Sequence, residues 1–560
     1  MGVGDDRFQP VDAVFGGAVN TRRIVWLRRI SQVLFFLLFI VLLIKTALPQ
    51  NVMQDYSTAM SAQQGIRLNY PVSFFFKLDT LLWISTVLAS HRWIAGTGLV
   101  LGIVVMTLVL GRFFCGFVCP FGTLHHAIAA VHPAVRGRKA RLYNEKTPAQ
   151  RIKYAVLTLV LISAVFGLNL AGFFDPLSVL FRTLAVSILP AINIGVKEVF
   201  DAMASSNWNV LNLISYSAEM LISPILGFGY PAYQTGFLIG VIGIAILMLN
   251  RVRSRFWCRV LCPLGALLGC FSFKSPLQLV QDASRCTGCG KCMEACQGAA
   301  SPRPGLKWEN AECVRCFNCQ AVCPEDALSF QMFWHQAPVR LPDTGRREVL
   351  TGLVAGVAFP FLSRLDGQIY HTSDARLIRP PGSLSEALFL ERCQRCGLCM
   401  KVCPTNAIQP SLTEAGVAGF WTPVLHMTTG YCEYTCTLCG SVCPTGAIRM
   451  ISEKEKTTKP VRIGSAFIDR GKCLPWSGNA PCIMCQEVCP VSPKAVEFRE
   501  AGVQAMNGQT ELLKQPYVNL QRCVGCGSCE NKCPVKGAPA IRVIAAGESR
   551  SERNQILLNG

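Results

Sequence analysis

Cysteine is the residue whose spacing says most about the chemistry of this chain. The 560-residue sequence contains 29 cysteines, and most of them fall into groups of four. The first two groups follow the pattern C-x2-C-x2-C-x3-C, the run by which thiolates hold a [4Fe-4S] cluster. Their members are Cys286, Cys289, Cys292 and Cys296, and then Cys313, Cys316, Cys319 and Cys323. The pattern predicts iron-sulfur clusters and therefore electron transfer.

The position of the fourth cysteine predicts that these two compact groups exchange a ligand. Three thiolates spaced two residues apart can point from one tight loop at three corners of a cube, whereas the fourth ligates the other cluster of a two-cluster unit. The predicted ligand sets are Cys286, Cys289, Cys292 and Cys323, and then Cys313, Cys316, Cys319 and Cys296. A proline follows the last cysteine in every group except the first, where Gln297 takes its place.

Four further groups lie between residues 366 and 560. The first and last are regular and consist of Cys393, Cys396, Cys399 and Cys403, and of Cys523, Cys526, Cys529 and Cys533. The inner two are stretched and consist of Cys432, Cys436, Cys439 and Cys443, and of Cys473, Cys482, Cys485 and Cys489. With the compact groups, they bring the prediction to six [4Fe-4S] clusters.

Other uses of cysteine fit this spacing less well. A zinc site usually takes two C-x2-C pairs a dozen or more residues apart, so it does not account for a third cysteine two residues after the second. A disulfide framework is not expected to produce the repeated groups of four. The sequence contains no C-x-x-C-H motif, so c-type haem is not indicated.

Two C-x3-C-P elements lie outside the six groups. They are Cys115 with Cys119, and Cys258 with Cys262. Residues four apart share one helical face, so two such pairs at the same membrane depth could supply four ligands. They predict a seventh metal or cluster site or a redox-active thiol pair, and the alternative is four reduced, half-buried cysteines. Cys270 is interpreted as a small buried apolar residue.

Apolar stretches in the first half of the chain predict a membrane domain. Four of them reach the roughly twenty residues that a bilayer requires, at residues 30–48, 94–111, 154–174 and 233–249. Three more, at residues 72–90, 177–195 and 209–226, are interrupted by charge or proline, and we predict them to be interfacial or re-entrant. Gly98 and Gly102 are predicted to allow close helix packing.

The distribution of lysine and arginine predicts the orientation. Basic residues concentrate near residues 22–29, 136–141 and 251–255, on the same side of the four predicted spans, which favours a cytoplasmic N-terminus. This bias accounts for much of the net charge of +20. A nucleic-acid partner is therefore not needed to explain the charge.

A second boundary follows the compact groups. Arg346 and Arg347 open a short apolar segment that fits an uncleaved twin-arginine export signal, and the alternative is an amphipathic linker helix. The predicted domains are a cytoplasmic segment at residues 1–29, a four-span domain at 30–275, a cytoplasmic two-cluster module at 276–335, an anchor at 344–365 and a periplasmic four-cluster domain at 366–560. The predicted fold class is a multi-domain membrane protein, with an α-helical transmembrane bundle of four spans plus a fifth anchor and two ferredoxin-like α+β iron-sulfur modules.

Several stretches carry a family resemblance. The segments LRRISQVLFFLLFI, FCGFVCP, WCRVLCPLGAL and GFFDPLSVLFR resemble the membrane ferredoxin-type subunit of periplasmic nitrate reductase systems. The segments RREVL and RLIRPPG and the four-group domain resemble the exported ferredoxin-type subunit of the same systems. The chain looks like a fusion of the two subunits, which departs from the separate-subunit pattern. The resemblance implies a quinol dehydrogenase of the bacterial inner membrane that passes electrons from the quinone pool to a periplasmic reductase or cytochrome.

The resemblance also implies a nested pairing of the last four groups. The implied ligand sets are Cys393, Cys396, Cys399 and Cys533; Cys523, Cys526, Cys529 and Cys403; Cys432, Cys436, Cys439 and Cys489; and Cys473, Cys482, Cys485 and Cys443. Two other functions stay open. Cytoplasmic ferredoxin could feed electrons in the reverse direction to quinone, or the chain could be a regulatory or assembly protein.

A quinol site needs groups that exchange protons near the membrane surfaces. The outer-side candidates are Asp79, His91 and Asp175, and the inner-side candidates are His125, His126 and His132. Polar residues near span ends are often merely interfacial, so no single one of them defines the site.

Overall fold

The fold was analysed in a computed structural model. It describes residues 21–46, 68, 70–94, 96–131, 137–226, 231–306, 308–332, 342–364, 375–458, 461–477, 480–504, 510–551 and 554.

The described residues between 21 and 272 form helices joined by turns and loops. The helices are α1 (Thr21–Lys45), α2 (Phe74–Lys77), α3 (Thr80–Ser90), α4 (Thr97–Leu110), α5 (Phe113–Phe117), α6 (Pro120–Val131), α7 (Arg138–Asn144), α8 (Ile152–Val165), α9 (Ala171–Phe174), α10 (Pro176–Thr183), α11 (Leu189–Ala204), α12 (Asn209–Leu226), α13 (Gly236–Met248) and α14 (Pro263–Ser272). Short 3-10 or π turns at Pro148–Arg151, Leu184–Ile188, Leu249–Arg251 and Trp257–Leu261 join some of them.

Three helical stretches are long and apolar enough to cross a membrane. They are Thr21–Lys45, Lys139–Val165 and Pro176–Ala204, and shorter apolar helices include Thr97–Leu110 and Gly236–Arg251. These lengths fit a membrane protein. The charge and proline that interrupt residues 177–195 do not break the helix, because a π turn at Leu184–Ile188 joins its two halves into one continuous stretch. Its interfacial or re-entrant placement stays a prediction.

Two buried aspartates begin helices inside this bundle. Asp79 caps α3 by accepting hydrogen bonds from the amides of Leu81 at 2.8 Å and Leu82 at 3.1 Å. Asp175 caps α10 by accepting from the Ser178 amide at 2.6 Å. A carboxylate at a helix N-terminus satisfies amides that have no partner within the helix. The chain can therefore start these helices below the surface of the bundle.

The first module, residues 276–332, is a small two-stranded unit. Strand β1 (Leu277–Gln281) pairs antiparallel with β2 (Leu328–Met332), so that Leu279 lies opposite Phe330. Between them lie the short helices α15 (Lys291–Ala295) and α16 (Asn318–Ala321) and a 3-10 turn at Asn310–Glu312.

Helix α17 (Arg346–Arg364) follows the first module and packs lengthwise against α8. A side chain at Gly352 would overlap the backbone of Ala155, and one at Gly356 would overlap Ile162, so both glycines permit close contact. The packing prediction made for Gly98 and Gly102 is wrong, since no described atom lies within 4 Å of a Cβ built at either position.

The C-terminal domain, residues 375–551, combines short helices with paired strands. Its helices are α18 (Glu386–Arg392), α19 (Leu398–Val402), α20 (Leu438–Ser441), α21 (Glu453–Thr458), α22 (Met484–Glu487) and α23 (Ser528–Asn531). Its antiparallel pairs are β3 (Ile408–Pro410) with β4 (Pro423–Leu425), β5 (Ser465–Ile468) with β8 (Ile541–Ile544), and β6 (Val496–Gln504) with β7 (Thr510–Val518).

The first module and the C-terminal domain contact opposite ends of α8. Near its start, the Lys153 ammonium group contacts the Glu312 carboxylate of the first module, and the Tyr154 hydroxyl donates to the same carboxylate at 3.0 Å. Four residues beyond its end, the Asn169 amide donates to the Glu391 carbonyl of the C-terminal domain at 2.9 Å. A helix of this length, 14 residues, is about 21 Å long.

Candidate metal centres

The first module brings its eight cysteines together in the two predicted sets. Cys292 lies beside Cys286, Cys289 and Cys323, and we name these four the Cys286 set. Cys319 lies beside Cys313, Cys316 and Cys296, which form the Cys313 set. Cys319 also approaches Cys292, so the two sets adjoin. The exchange of the fourth cysteine between the two compact groups therefore agrees with the folded arrangement.

The C-terminal domain corrects the nested pairing implied by the family resemblance. Two cavities show this directly: one is lined by Cys393, Cys396, Cys399 and Cys443, and another by Cys473, Cys482, Cys485 and Cys533. A third cavity is lined by Cys489, Cys523, Cys526 and Cys529. Beside Cys439 lie Cys432, Cys436 and Cys403. We name these the Cys393, Cys473, Cys523 and Cys432 sets.

The reason for the correction lies in how the chain folds back. After Cys443, the Thr445 hydroxyl donates to the Arg392 carbonyl at 2.7 Å, and the Leu384 amide donates to the Ala447 carbonyl at 3.1 Å. These bonds hold Cys443 against the loop that begins at Cys393, so Cys533 is not its neighbour. Consecutive groups therefore exchange their fourth cysteine, as in the first module. The implied partners Cys533, Cys403, Cys489 and Cys443 each belong to a different set from the one expected.

The four sets of the C-terminal domain form a sequence of neighbours. Cys399 approaches Cys439, which joins the Cys393 and Cys432 sets. The Cys432 amide donates to the Cys526 carbonyl at 2.8 Å, which joins the Cys432 and Cys523 sets. Cys529 approaches Cys485 and so joins the Cys523 and Cys473 sets. The Cys393 set is next to the bundle, and the Cys473 set is the far end.

The donor chemistry and burial of these sets fit [4Fe-4S] clusters. All 29 cysteines are free thiols, so no thiol is consumed by a disulfide. Within the described ranges, no three His, Cys, Asp or Glu side chains are close enough to hold a single metal ion. Four thiolates that each bind a different iron of a cubane stand further apart than the four ligands of one zinc ion. A bound cluster supplies one-electron carriage at each set.

The two C-x3-C-P elements meet in one cavity. Cys115, Cys119, Cys258 and Cys262 line it, together with Gln297, Gly298 and Val314 of the first module and Pro176 of α10. Cys119 and Cys262 precede α6 and α14, and each sulfur accepts a hydrogen bond from the first turn of its helix. The distances are 3.4 Å from the Gly122 amide and 3.2 Å from the Gly265 amide. A helix N-terminus favours the thiolate form of cysteine.

The surroundings of this cavity reveal a repeat that the sequence analysis missed. Both elements read R-x-x-C-x-x-x-C-P-x-G, beginning at Arg112 and Arg255. A Cβ at Gly122 would lie 2.7 Å from the Arg255 guanidinium, and one at Gly265 would lie 2.7 Å from that of Arg112. Each arginine therefore reaches the glycine of the other element. Aligning the two segments from the arginine rather than from the cysteine would have exposed the signal.

The residues predicted for a quinol site separate into different environments. Asp79 and Asp175 are fully buried, and their carboxyl groups lie beside each other inside the bundle. His125 is buried with its Nδ1 2.9 Å from the Asn250 amide oxygen. His126 contacts Gln297, the residue that replaces the proline of the first group.

The remaining predicted positions are less informative. His91 is exposed at the end of α3, and His132 lies outside the described residues. Cys270 is half-buried against the core of the bundle. Among the described members of the predicted set, the two aspartates are therefore the part that the fold brings together.

Comparisons with known proteins identify the class first. A 4Fe-4S binding domain model matches residues 93–141 and 233–276, which include both C-x3-C-P elements. A 4Fe-4S dicluster domain model matches residues 278–324, and a second 4Fe-4S binding domain model matches residues 388–409 and 516–536. The chain is thus a ferredoxin-type [4Fe-4S] electron-transfer protein with apolar helices that fit a membrane.

Individual relatives then identify the family. The methylamine utilization ferredoxin-type protein MauM of Methylorubrum extorquens is 35% identical over 212 residues, which are 36% of this chain and 88% of the relative. The ferredoxin-type protein NapG of Escherichia coli is 30% identical over 216 residues, which are 38% of this chain and 90% of the relative. No solved structure matches the chain. The chain belongs to the MauM/NapG family of ferredoxin-type proteins.

Proposed function

We propose that this protein oxidises membrane quinol and relays the electrons through six [4Fe-4S] clusters to a periplasmic reductase or cytochrome. In this proposal the clusters are held by the Cys286, Cys313, Cys393, Cys432, Cys523 and Cys473 sets. The protein's own part is to hold the thiolates, bury them and fix their order. The direction towards the periplasm rests on the resemblance, since sequence and fold do not give reduction potentials.

One observation carries the proposal: cysteine sets line up on both ends of the bundle with a further four-cysteine cavity between them. The cavity touches Val314, the neighbour of Cys313, on one side and Pro176 on the other. Pro176 is four residues after Gly172, which contacts the Cys393 loop through the Gln394 carbonyl. Four Cα–Cα steps span at most about 15 Å. The C-x3-C-P cavity is thus close to both modules.

The two aspartate-capped helices explain why the C-x3-C-P cavity can lie so close to the Cys393 loop. Asp79 and Asp175 let α3 and α10 begin below the surface, so the chain turns inside the bundle and carries residues 169–176 down towards the cavity. Irregular backbone at membrane depth is tolerated where protein buries it. We propose that this buried pair of carboxyl groups accepts protons in the quinol chemistry, in which two electrons and two protons leave together.

The proposed orientation has the N-terminus and the first module in the cytoplasm and the C-terminal domain in the periplasm. Helix α17 runs beside α8 between these two parts, and this contact supports a fifth span that follows Arg346 and Arg347. Export of a folded cluster domain is what a twin-arginine signal provides. The protein would then lie in the bacterial inner membrane.

A second candidate function is electron input from cytoplasmic ferredoxin, with flow to quinone or outwards. It is favoured by Cys289, which is the exposed ligand of the Cys286 set. An exposed terminal ligand gives a soluble donor short access to that set. The same order of sets serves either direction.

The discriminating experiment uses the full chain in membranes. Addition of a quinol analogue should reduce the clusters, seen as bleaching of their visible absorbance, and a periplasmic cytochrome should then reoxidise them. Reduced ferredoxin, added to membranes that expose the cytoplasmic face, tests the second candidate. Failure of every quinol tried to reduce any cluster would remove the first proposal and leave the second.

A further inference from the structure

Two of the six cysteine groups carry an arginine where their regular counterparts carry a glycine. The first three residues after Cys313 are Val314, Arg315 and Cys316, and those after Cys393 are Gln394, Arg395 and Cys396. The matching position is Gly288 in the group at Cys286 and Gly525 in the group at Cys523. The substitution of arginine for glycine thus separates the regular groups into two kinds.

The backbone at this position is left-handed in all four loops. Its φ is 69° at Gly288 and 73° at Gly525, and it is 53° at Arg315 and 51° at Arg395. A residue with a Cβ costs roughly 1–2 kcal/mol in that conformation, whereas glycine adopts it freely. Strain of this kind persists where the surroundings require the side chain. Because glycine serves in the matching position of two other groups, holding the cluster ligands does not by itself require an arginine there.

Both arginine-bearing loops contact the backbone of the bundle, whereas the glycine-bearing loop at Cys286 is reached by the Arg141 side chain of α7. The Arg315 Nε donates to the Leu110 carbonyl at 3.0 Å, at the end of α4. The Arg395 Nη1 donates to the Asn169 carbonyl, beyond the end of α8. Arg315 and Arg395 are each about 1% exposed. The other hydrogen bonds stay within each module: Arg315 contacts the Asn310 side chain, and Arg395 donates to the carbonyls of Phe420 at 3.0 Å and Ala418 at 2.6 Å. Each arginine therefore links its own module to one backbone carbonyl of the bundle.

The residue before each arginine makes an equivalent contact. The Val314 carbonyl approaches Gly116 so closely that a Cβ there would overlap it, and the Gln394 carbonyl does the same at Gly172. Gly116 lies between Cys115 and Cys119. The Gln394 amide adds a hydrogen bond of 2.6 Å to the Thr86 hydroxyl of α3. At both ends of the bundle, a module carbonyl therefore packs against a bundle glycine, and a module arginine donates to a bundle carbonyl.

We infer that C-x-R-C is a docking loop that seats each module on the bundle, and that it marks the Cys313 and Cys393 sets as the two that face the membrane domain. Arg315 and Arg395 are positioning residues, each with its matching bundle glycine, Gly116 or Gly172. The seating follows from these contacts alone. Its consequence, that electrons pass between the modules through these two sets, rests on the proposed function.

The test is hydrogen–deuterium exchange of the full chain in detergent, followed by mass spectrometry. In Gly172→Ala the new methyl group would overlap the Gln394 carbonyl, so amides of α3 and of residues 391–396 should exchange about tenfold faster or more, equivalent to about 1.4 kcal/mol of lost protection. Gly195→Ala is the matched control, because no described atom lies within 4 Å of its Cβ. It should leave exchange unchanged.

A second pair of variants tests the arginine itself. Arg395→Gly restores the residue that the left-handed backbone prefers, so the Cys393 set should keep its iron while the same amides lose protection. Arg522→Gly is the control, because Arg522 also adjoins a cluster ligand but is exposed and pairs with Glu497. This control should change neither the iron content of the Cys393 set nor the protection of these amides.

Unchanged protection in both Gly172→Ala and Arg395→Gly would overturn the docking inference. Loss of iron from the Cys393 set in Arg395→Gly would also overturn it, since the arginine would then serve the ligand loop itself. The proposed function is read separately, from the rate at which quinol-derived electrons reach the C-terminal domain. If the amides lose protection but the electron-transfer rate is unchanged, the docking inference holds and the proposed transfer path through these two sets is wrong.

Discussion

The fourth cysteine of each group decides which segments of the chain a cluster joins. In the C-terminal domain, Cys443 completes the Cys393 set and Cys533 completes the Cys473 set. Each of these clusters would therefore tie two neighbouring groups together and would not link the first group to the last. Loss of one ligand should loosen one half of the domain and spare the other.

This pairing predicts how iron losses combine. Cys393→Ser and Cys443→Ser should each cost up to about four irons per chain, the content of one cubane. The double variant should lose no more than either single variant, because both cysteines belong to one set. Cys443→Ser with Cys533→Ser should instead lose two clusters. The measurement is iron and acid-labile sulfide per chain. Cys270→Ser is the control and should lose neither. If the losses for Cys393→Ser and Cys443→Ser add in the double variant, the nested pairing is correct after all.

The C-x3-C-P cavity gives a second prediction at this scale. If its four thiols hold a seventh [4Fe-4S] cluster, the chain should carry about 28 irons, and Cys119→Ser with Cys262→Ser should lower this to about 24. The Gly122 and Gly265 amides and the two arginines at the cavity offset part of the cost of burying thiolates there. A native count of about 24, unchanged by the double variant, would show that these cysteines act without iron.

The cysteine spacing predicted the groups but not all of their partners, and the reason is physical. Three ligands in one loop are a local property, so residues such as Cys393, Cys396 and Cys399 can be read directly from the chain. The fourth ligand depends on how a distant segment folds back, and the bond from Thr445 to Arg392 that fixes Cys443 has no spacing signal.

At the scale of elements, an ion-pair network ties the start and the end of the C-terminal domain together. Glu386, at the beginning of α18, accepts from Arg379 and from Arg550, the latter at 2.7 Å. Burial alone would raise the pKa of Glu386, but the two guanidinium groups outweigh it and lower the pKa to about 2. Because the folded pKa lies below the usual glutamate value, the ionised carboxylate stabilises the fold.

The network predicts acid sensitivity with a defined sign. The stabilisation is complete above the unfolded pKa of about 4.3 and is lost as the pH falls towards 2. Glu386→Gln should reduce the stability of the domain by about 3 kcal/mol at pH 7 and by much less near pH 2. The measurement is the temperature midpoint of cluster loss for both proteins between pH 7 and pH 2. Glu497→Gln, which alters an exposed pair with Arg522, should change the midpoint little.

The contact between α17 and α8 can be broken from one position. Gly356→Leu places a large side chain where Ile162 already lies, and overpacking of this kind costs about 1–3 kcal/mol. The thermal midpoint in detergent should fall. The matched control is Gly98→Leu, which has open space around its Cβ and should leave the midpoint nearly unchanged.

The same scale explains the helix that the sequence did not predict. Arg182 and Pro190 suggested breaks at residues 177–195. In the fold, the Arg182 guanidinium donates to the carbonyls of Gly172 at 3.1 Å and Arg395 at 2.8 Å, so its charge is buried against dipoles. Pro190 lies just after the π turn, at the start of α11, where a missing amide is tolerated. Tertiary partners thus outweighed the local signals.

At the scale of the whole molecule, the bundle presents related contacts at its two ends. The glycines Gly116 and Gly172 receive carbonyls from the first module and the C-terminal domain, and buried arginines complete each seat. The C-x3-C-P repeat lies between the seats. Six cysteine sets and one cavity therefore follow one another from exposed Cys289 to the Cys473 set, as the proposed electron relay requires.

This arrangement predicts that the two modules lie on opposite sides of the membrane. A phosphatase that is active only in the periplasm, fused after Gly560, should be active, whereas the same reporter fused after Met332 should be inactive. Arg346→Lys with Arg347→Lys should abolish the activity of the first fusion, because a twin-arginine signal requires both residues. An inactive C-terminal fusion, together with an intact full-length protein in the membrane, would place all six sets in the cytoplasm and exclude a periplasmic acceptor.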